Sequence, residues 1–133
     1  MKKDIVPVIL GGAVGTALRI VLDVVLSLIF FSLSLVSIMA VNAVGSFLLA
    51  FLVAGLWTRK STPHWVKIFM GPGVLGAFTT FSGVMLQGLF IQNMWATAGF
   101  LALSIGTSMF AALLGFWVAQ PFALKNKRKA ATR

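Results

Sequence analysis

Gly71-Pro72-Gly73-Val74-Leu75-Gly76-Ala77-Phe78-Thr79-Thr80-Phe81-Ser82-Gly83 is the stretch that decides how this chain folds. It lies inside an apolar run from about Ile68 to Ile91, whose midpoint falls at Thr79 and Thr80. A helix rising about 1.5 Å per residue needs about 20 mostly apolar residues to cross a hydrocarbon core about 30 Å thick. The run is long enough to span. Its centre, however, carries three hydroxyls, four glycines and a proline that removes one N–H, all of which disfavour continuous helix. A break there exposes carbonyl oxygens. Such backbone is tolerated at membrane depth where protein or water buries it, and the freed carbonyls suit a hard cation such as Na⁺. The alternative reading of the same residues is a small-residue face for helix packing.

Three more runs are long enough to cross, from about Ile5 to Phe31, Leu35 to Trp57 and Trp95 to Phe122. The 133 residues are 59% hydrophobic and 10% charged, where soluble domains run near about a quarter charged. Runs this continuous and this few do not make a barrel. The expectation is therefore an all-α membrane protein, one four-helix transmembrane domain over residues 1–133 with a break in its third helix and a basic tail over 123–133. Lys2-Lys3 before an apolar run imitates a cleavable signal, but the run is too long and lacks a small-x-small exit, so it is kept as a helix.

Eleven Lys and Arg against two acids give a net charge of +9, which on a soluble protein would suggest nucleic acid. Position argues otherwise, because all of them except Arg19 lie outside the apolar runs, where they meet lipid headgroups. Short connections at Ser32–Ser34, Thr58–Lys67 and Gln92–Met94 impose an up-down-up-down order. Lys2 and Lys3, then Arg59, Lys60 and Lys67, then Lys125, Lys127, Arg128, Lys129 and Arg133 all fall on one side, and the first and third connections have none. The positive-inside rule puts both termini in the cytoplasm, with the chain in the inner (plasma) membrane. Trp57, Trp65 and Trp95 sit at helix ends, as interfacial anchors do. With no cysteine there is no disulfide or thiolate metal site.

Polar residues inside the spans tend to face a cavity, a partner helix or a pathway. Arg19 and Asp23, one helical turn apart, share a face and either neutralise each other near the interface or form an electropositive vestibule for an anion. Asn42, with Gly45 and Ser46 a turn further on, is either glue between helices or an N–H donor offered to a dehydrated anion. In the fourth run Ser104 and Ser108 stand on one face, either bonding back to their own carbonyls or lining a hydroxyl track. His64, beside Pro63, reads as a solvated loop residue. One His, two Asp and no Glu or Cys leave no paired-carboxylate or metal-cluster chemistry, so an enzyme is not expected.

The constellation resembles the CrcB, or Fluc, family of small fluoride channels over almost the whole chain. Gly11-Gly12-Ala13-Val14-Gly15-Thr16-Ala17-Leu18-Arg19 is similar to the family's glycine-rich first-helix segment ending in arginine. Val41-Asn42-Ala43-Val44-Gly45-Ser46-Phe47 resembles its Val-Asn-x-x-Gly-x-Phe pattern, and Gly76-Ala77-Phe78-Thr79-Thr80-Phe81-Ser82 its Gly-Gly-x-Thr-Thr-Phe-Ser segment. Ser104 and Ser108 are compatible with its fourth-helix polar track. The resemblance implies an antiparallel dimer with two fluoride pores at the interface and a structural Na⁺ between the subunits. It further implies that Asn42, Thr80, Phe81, Ser104 and Ser108 line pores, that Arg19 serves the vestibule, and that Gly76 and Thr79 offer backbone carbonyls to Na⁺. Three departures stand out. Ala77 replaces the second glycine, Val84 stands where a second pore phenylalanine is usual, and Gln87 where a glutamate is usual.

An antiparallel homodimer needs one sequence to insert both ways, which the one-sided basic residues oppose. Together with the lost pore residues, this suggests one half of a heterodimer with a paralogous subunit; a homodimer stays open, because the family's pores combine groups from both subunits and orientation signals can be overridden. Two other classes compete. A small multidrug or cation exporter needs a membrane-embedded carboxylate, and only Asp23 is on offer. A non-transporting assembly factor would use the basic tail as its docking element.

Overall fold

The computed structural model describes residues 2–29, 34–57 and 62–131. The first helix, α1, is Lys2–Ile29, and α2, Ser34–Phe51, is continued by a π-helical turn at Leu52–Leu56. The third span is composite, with α3 at His64–Ile68, a π-helical stretch at Phe69–Leu75, α4 at Gly76–Phe78 and α5 at Phe81–Leu89. The last helix, α6, is Met94–Ala131. Among the described residues there is no strand. Four segments, Asp4–Leu26, Leu35–Gly55, His64–Leu89 and Met94–Leu124, are long and apolar enough to cross a bilayer.

Several boundaries differ from the sequence reading, for local reasons. The third span starts at His64 rather than Ile68, because Pro63, extended at φ −58° and ψ 145°, starts the helix directly after itself. His64 and Lys67 are therefore helical. His64 Nε2 approaches Asp4 Oδ1 at 3.7 Å, and Lys67 Nζ donates to the Trp57 carbonyl at 3.1 Å, a cation closing the C-terminus of the second span. α6 runs on through residues 123–131 of the basic tail, which their Ala, Leu, Lys and Arg content favours. At about 1.5 Å per residue the 38 residues of α6 extend roughly 57 Å, well beyond the hydrocarbon thickness. Phe31, Ser32, Thr58, Arg59, Lys60 and Arg133 lie outside the described residues.

Packing follows the small residues. α6 lies along α2 and its π-helical extension, and α1 lies against the π-helical stretch at 69–75 and α4. Lipid tails are as apolar as leucine, so helices in a bilayer gain mainly from close backbone approach. Gly15 of α1 has the Val74 backbone where a Cβ would stand, and Gly115 of α6 has the Phe47 backbone. The buried apolar cluster is small, consisting of Ile38, Val84 and Phe100 flanked by Leu35, Met39, Ile91 and Leu101. Most other large apolar side chains point outward, including Leu28, Leu89, Phe90 and Trp117. With four apolar spans, this is a multi-pass membrane protein whose solvent is lipid.

Candidate functional site

The site begins with the backbone between α4 and α5. Thr79 (φ −79°, ψ 148°) and Thr80 (φ −145°, ψ 121°) are both extended. An extended residue in a helical span presents an N–H and a C=O with no partner in its own segment, and such groups must be satisfied. Asn42 supplies both partners. Its Nδ2 donates to the Thr80 carbonyl at 2.8 Å, and the Thr80 N–H donates to Asn42 Oδ1 at 2.7 Å. Both residues are buried, at 7% and 8% exposure. A carboxamide carries a donor and an acceptor in the same plane as a peptide group does, so asparagine mimics a neighbouring strand here.

The Thr80 hydroxyl restarts the helix. As N-cap of α5 it accepts from the Gly83 N–H at 3.0 Å and lies 3.1 Å from Ser82 Oγ. These two substitutions for helical bonds have a consequence upstream. In an uninterrupted helix the Thr80 N–H would serve the Gly76 carbonyl and the Gly83 N–H would serve that of Thr79. Here those donors go to Asn42 Oδ1 and to Thr80 Oγ1, so both carbonyls lose their helical partners. The Leu75 carbonyl, by contrast, takes the Thr79 N–H and hydroxyl, each at 3.1 Å.

Around this backbone lies an open groove of about 430 Å³ between α2, the third span and α6. It brings together Asn42, Thr80, Phe81, Ser104 and Ser108, all singled out from the sequence, along with Thr79. Phe81, first residue of α5, is 65% exposed, whereas Ser104 is 3% exposed. Ser108 Oγ donates to the Ser104 carbonyl at 2.9 Å, so back-bonding and lining the groove occur together. No Asp, Glu, Lys, Arg or His is among the lining residues.

The remaining sequence candidates lie elsewhere. Gly76 is exposed but is not among the residues lining the groove. Arg19 is not among them either; its Nε is 3.6 Å from Asp23 Oδ2, the self-neutralising arrangement. Among the described residues no cluster of three His, Cys, Asp or Glu exists. The groove also contains Ser46, Val84, Ile105, Met109 and Ala112. Ser46 was legible, standing one helical turn from Asn42 on the same face. Ile105 and Met109 follow Ser104 and Ser108 by one residue and carry no chemical signal of their own. Val84 lines the groove while 2% exposed, packed into the cluster with Ile38 and Phe100.

The profile of a family described as CrcB-like protein, camphor resistance (CrcB), matches residues 6–116. A protein of Roseobacter denitrificans named fluoride-specific ion channel FluC is 34% identical over 123 residues, covering 89% of this chain and 96% of the relative. Fluoride-specific ion channel FluC 2 of Halalkalibacterium halodurans is 33% identical over 133 residues, covering 97% and 95%. The FluC of Deinococcus radiodurans is 37% identical over 110 residues, covering 80% and 86%. With a profile match across most of its length and relatives of this identity over nearly whole chains, the chain belongs to the CrcB family.

Proposed function

We propose that this chain is a subunit of a fluoride-selective channel through which cytoplasmic fluoride leaves passively. The observation that carries the reading is the polar groove at the interrupted third span, fixed by the Asn42–Thr80 pair. Fluoride is small and tightly hydrated, so a pathway must replace its water with donors that do not hold it too firmly. Asn42 Nδ2 has two hydrogens and uses one on Thr80, which leaves one for an anion. Phe81 offers a ring whose edge is electropositive, at the N-terminal end of α5, where the helix dipole also favours negative charge. A groove without an ionisable side chain suits passive conduction and opposes a proton-coupled exporter.

An open groove with a largely exposed aromatic at its edge is half of an enclosed pathway, which favours a dimer with a second subunit as the other wall. The antiparallel arrangement, with Na⁺ between subunits, fits the carbonyls of Gly76 and Thr79, both deprived of helical donors. A bound Na⁺ would supply positive charge that holds those oxygens together. Arg19 would raise the local potential at the mouth, less so while paired with Asp23. In this reading both termini are cytoplasmic in the inner membrane. The single-sided basic residues favour a paralogous partner of opposite orientation over a second identical copy.

The test is fluoride efflux from liposomes carrying the purified chain alone, and together with a related subunit of opposite charge bias. Efflux in either case supports the channel, and efflux only in the second supports the heterodimer. No fluoride release in both contradicts the channel.

A further inference from the structure

We infer that Ser46 is a specificity-determining residue of this pathway, the last hydrogen-bond donor an ion meets before an entirely apolar stretch. The inference rests on the channel reading above and deepens it. Two cavities adjoin on this face of the molecule, because Ser46 and Ala112 line both. The first is the polar groove. The second, about 400 Å³, adds Leu49, Ala50, Val53, Ala54 and Phe116, none with a polar side-chain atom. Of these two shared residues, Ser46 alone carries a hydrogen-bonding side chain.

Two of the groove's hydroxyls, those of Ser46 and Ser104, have no hydrogen-bond partner among the described residues. Thr79 Oγ1 donates to the Leu75 carbonyl at 3.1 Å and Ser108 Oγ to the Ser104 carbonyl at 2.9 Å, so both protons are committed to backbone. Thr80 Oγ1 is engaged with Gly83 and Ser82, while Ser104 is only 3% exposed and does not reach the second cavity. Ser46 is partly exposed, and its hydroxyl has no hydrogen-bond partner among the described residues. A serine within a helix ordinarily bonds back to the carbonyl four residues earlier, as Ser108 does. A free hydroxyl one turn beyond Asn42 offers its proton to a passing anion, and fluoride, the strongest acceptor among the halides, gains most from it. A hydrogen bond to a charged group made at the barrier, where the ion leaves the polar groove for apolar walls, is worth about tenfold or more in rate.

Fluoride and chloride efflux are measured from liposomes holding the channel in its conducting form, alone or with its partner subunit. Ser46→Ala is expected to lower fluoride efflux about tenfold or more, with the oligomer unchanged on size exclusion. Ser46→Thr keeps the hydroxyl and retains most of the rate. Adding Ala112→Ser to Ser46→Ala puts a hydroxyl back at the same boundary and recovers efflux, which a packing role would not allow. Should Ser46→Ala not assemble, Ser46→Cys, with a weaker donor of similar size, is expected to conduct at an intermediate rate. Wild-type efflux in Ser46→Ala, or equal losses in the Ala and Thr variants, overturns the assignment to Ser46 while leaving the channel reading intact. Absence of fluoride efflux from the unaltered protein overturns the channel reading and this inference with it.

Discussion

Asn42 commits both ends of its carboxamide to Thr80, and that sets what its substitution does. Asn42→Asp replaces a donor with an acceptor against the Thr80 carbonyl and buries a negative charge where an anion must pass. Fluoride efflux should stop, and efflux at the parent rate removes Asn42 from the pathway. Asn42→Ala leaves the Thr80 N–H and C=O unpaired in a buried position, at about 1–3 kcal/mol for each group. Its thermal unfolding in detergent should fall well below that of Phe81→Ala, since Phe81 is 65% exposed and a truncation there leaves no cavity. Phe81→Ala should instead slow fluoride efflux while leaving unfolding near the parent value. Equal destabilisation by the two variants would contradict this division between a positioning asparagine and an exposed aromatic.

At the scale of elements, the third span depends on glycines that let neighbouring backbone in. A Cβ at Gly45 would meet the Thr79 methyl and stand 3.0 Å from the Phe78 ring, so Gly45→Ala pushes on the extended residues themselves. It should cost about 1–3 kcal/mol and lower efflux more than a similar change at Gly12, whose surroundings are open. Comparable unfolding of Gly45→Ala and Gly12→Ala would contradict that placement. The four spans were legible because length and hydropathy alone fix what a bilayer accepts. The composition of residues 71–83 disfavours α-helix but does not say what replaces it; the chain adopts a π-helical stretch at Phe69–Leu75 and extended residues at Thr79 and Thr80. Asn42, Thr80, Phe81, Ser104 and Ser108 were recognisable as polar or aromatic groups in spans, yet nothing local reveals that Asn42 bonds across 38 residues to Thr80. That pairing is a tertiary fact. The start of α3 at His64 and the run of α6 to Ala131 were missed because both cross from apolar into charged sequence, where hydropathy falls but helix propensity does not.

For the whole molecule, the groove is open on one side, and the expectation from the sequence is that every basic residue except Arg19 falls on one face of the membrane. These pull in opposite directions if the second wall is an identical chain inverted, and agree if it is a related chain. Labelling single cysteines placed at the two termini of a cysteine-free chain reads the orientation directly. Both should react only from the cytoplasmic side, and substantial labelling from both sides would contradict the fixed orientation. Replacing Na⁺ by a large organic cation should weaken subunit association and slow efflux, if the Gly76 and Thr79 carbonyls hold the ion. Unchanged association would remove Na⁺ from the interface. The central claim is that this groove is a fluoride path, and the most direct test is initial fluoride efflux from loaded liposomes, with chloride measured alongside. The account predicts rapid fluoride loss with chloride retained, from the chain alone or with its related subunit, and no loss of either ion with Asn42→Asp. Fluoride held as firmly as chloride under both conditions would contradict it.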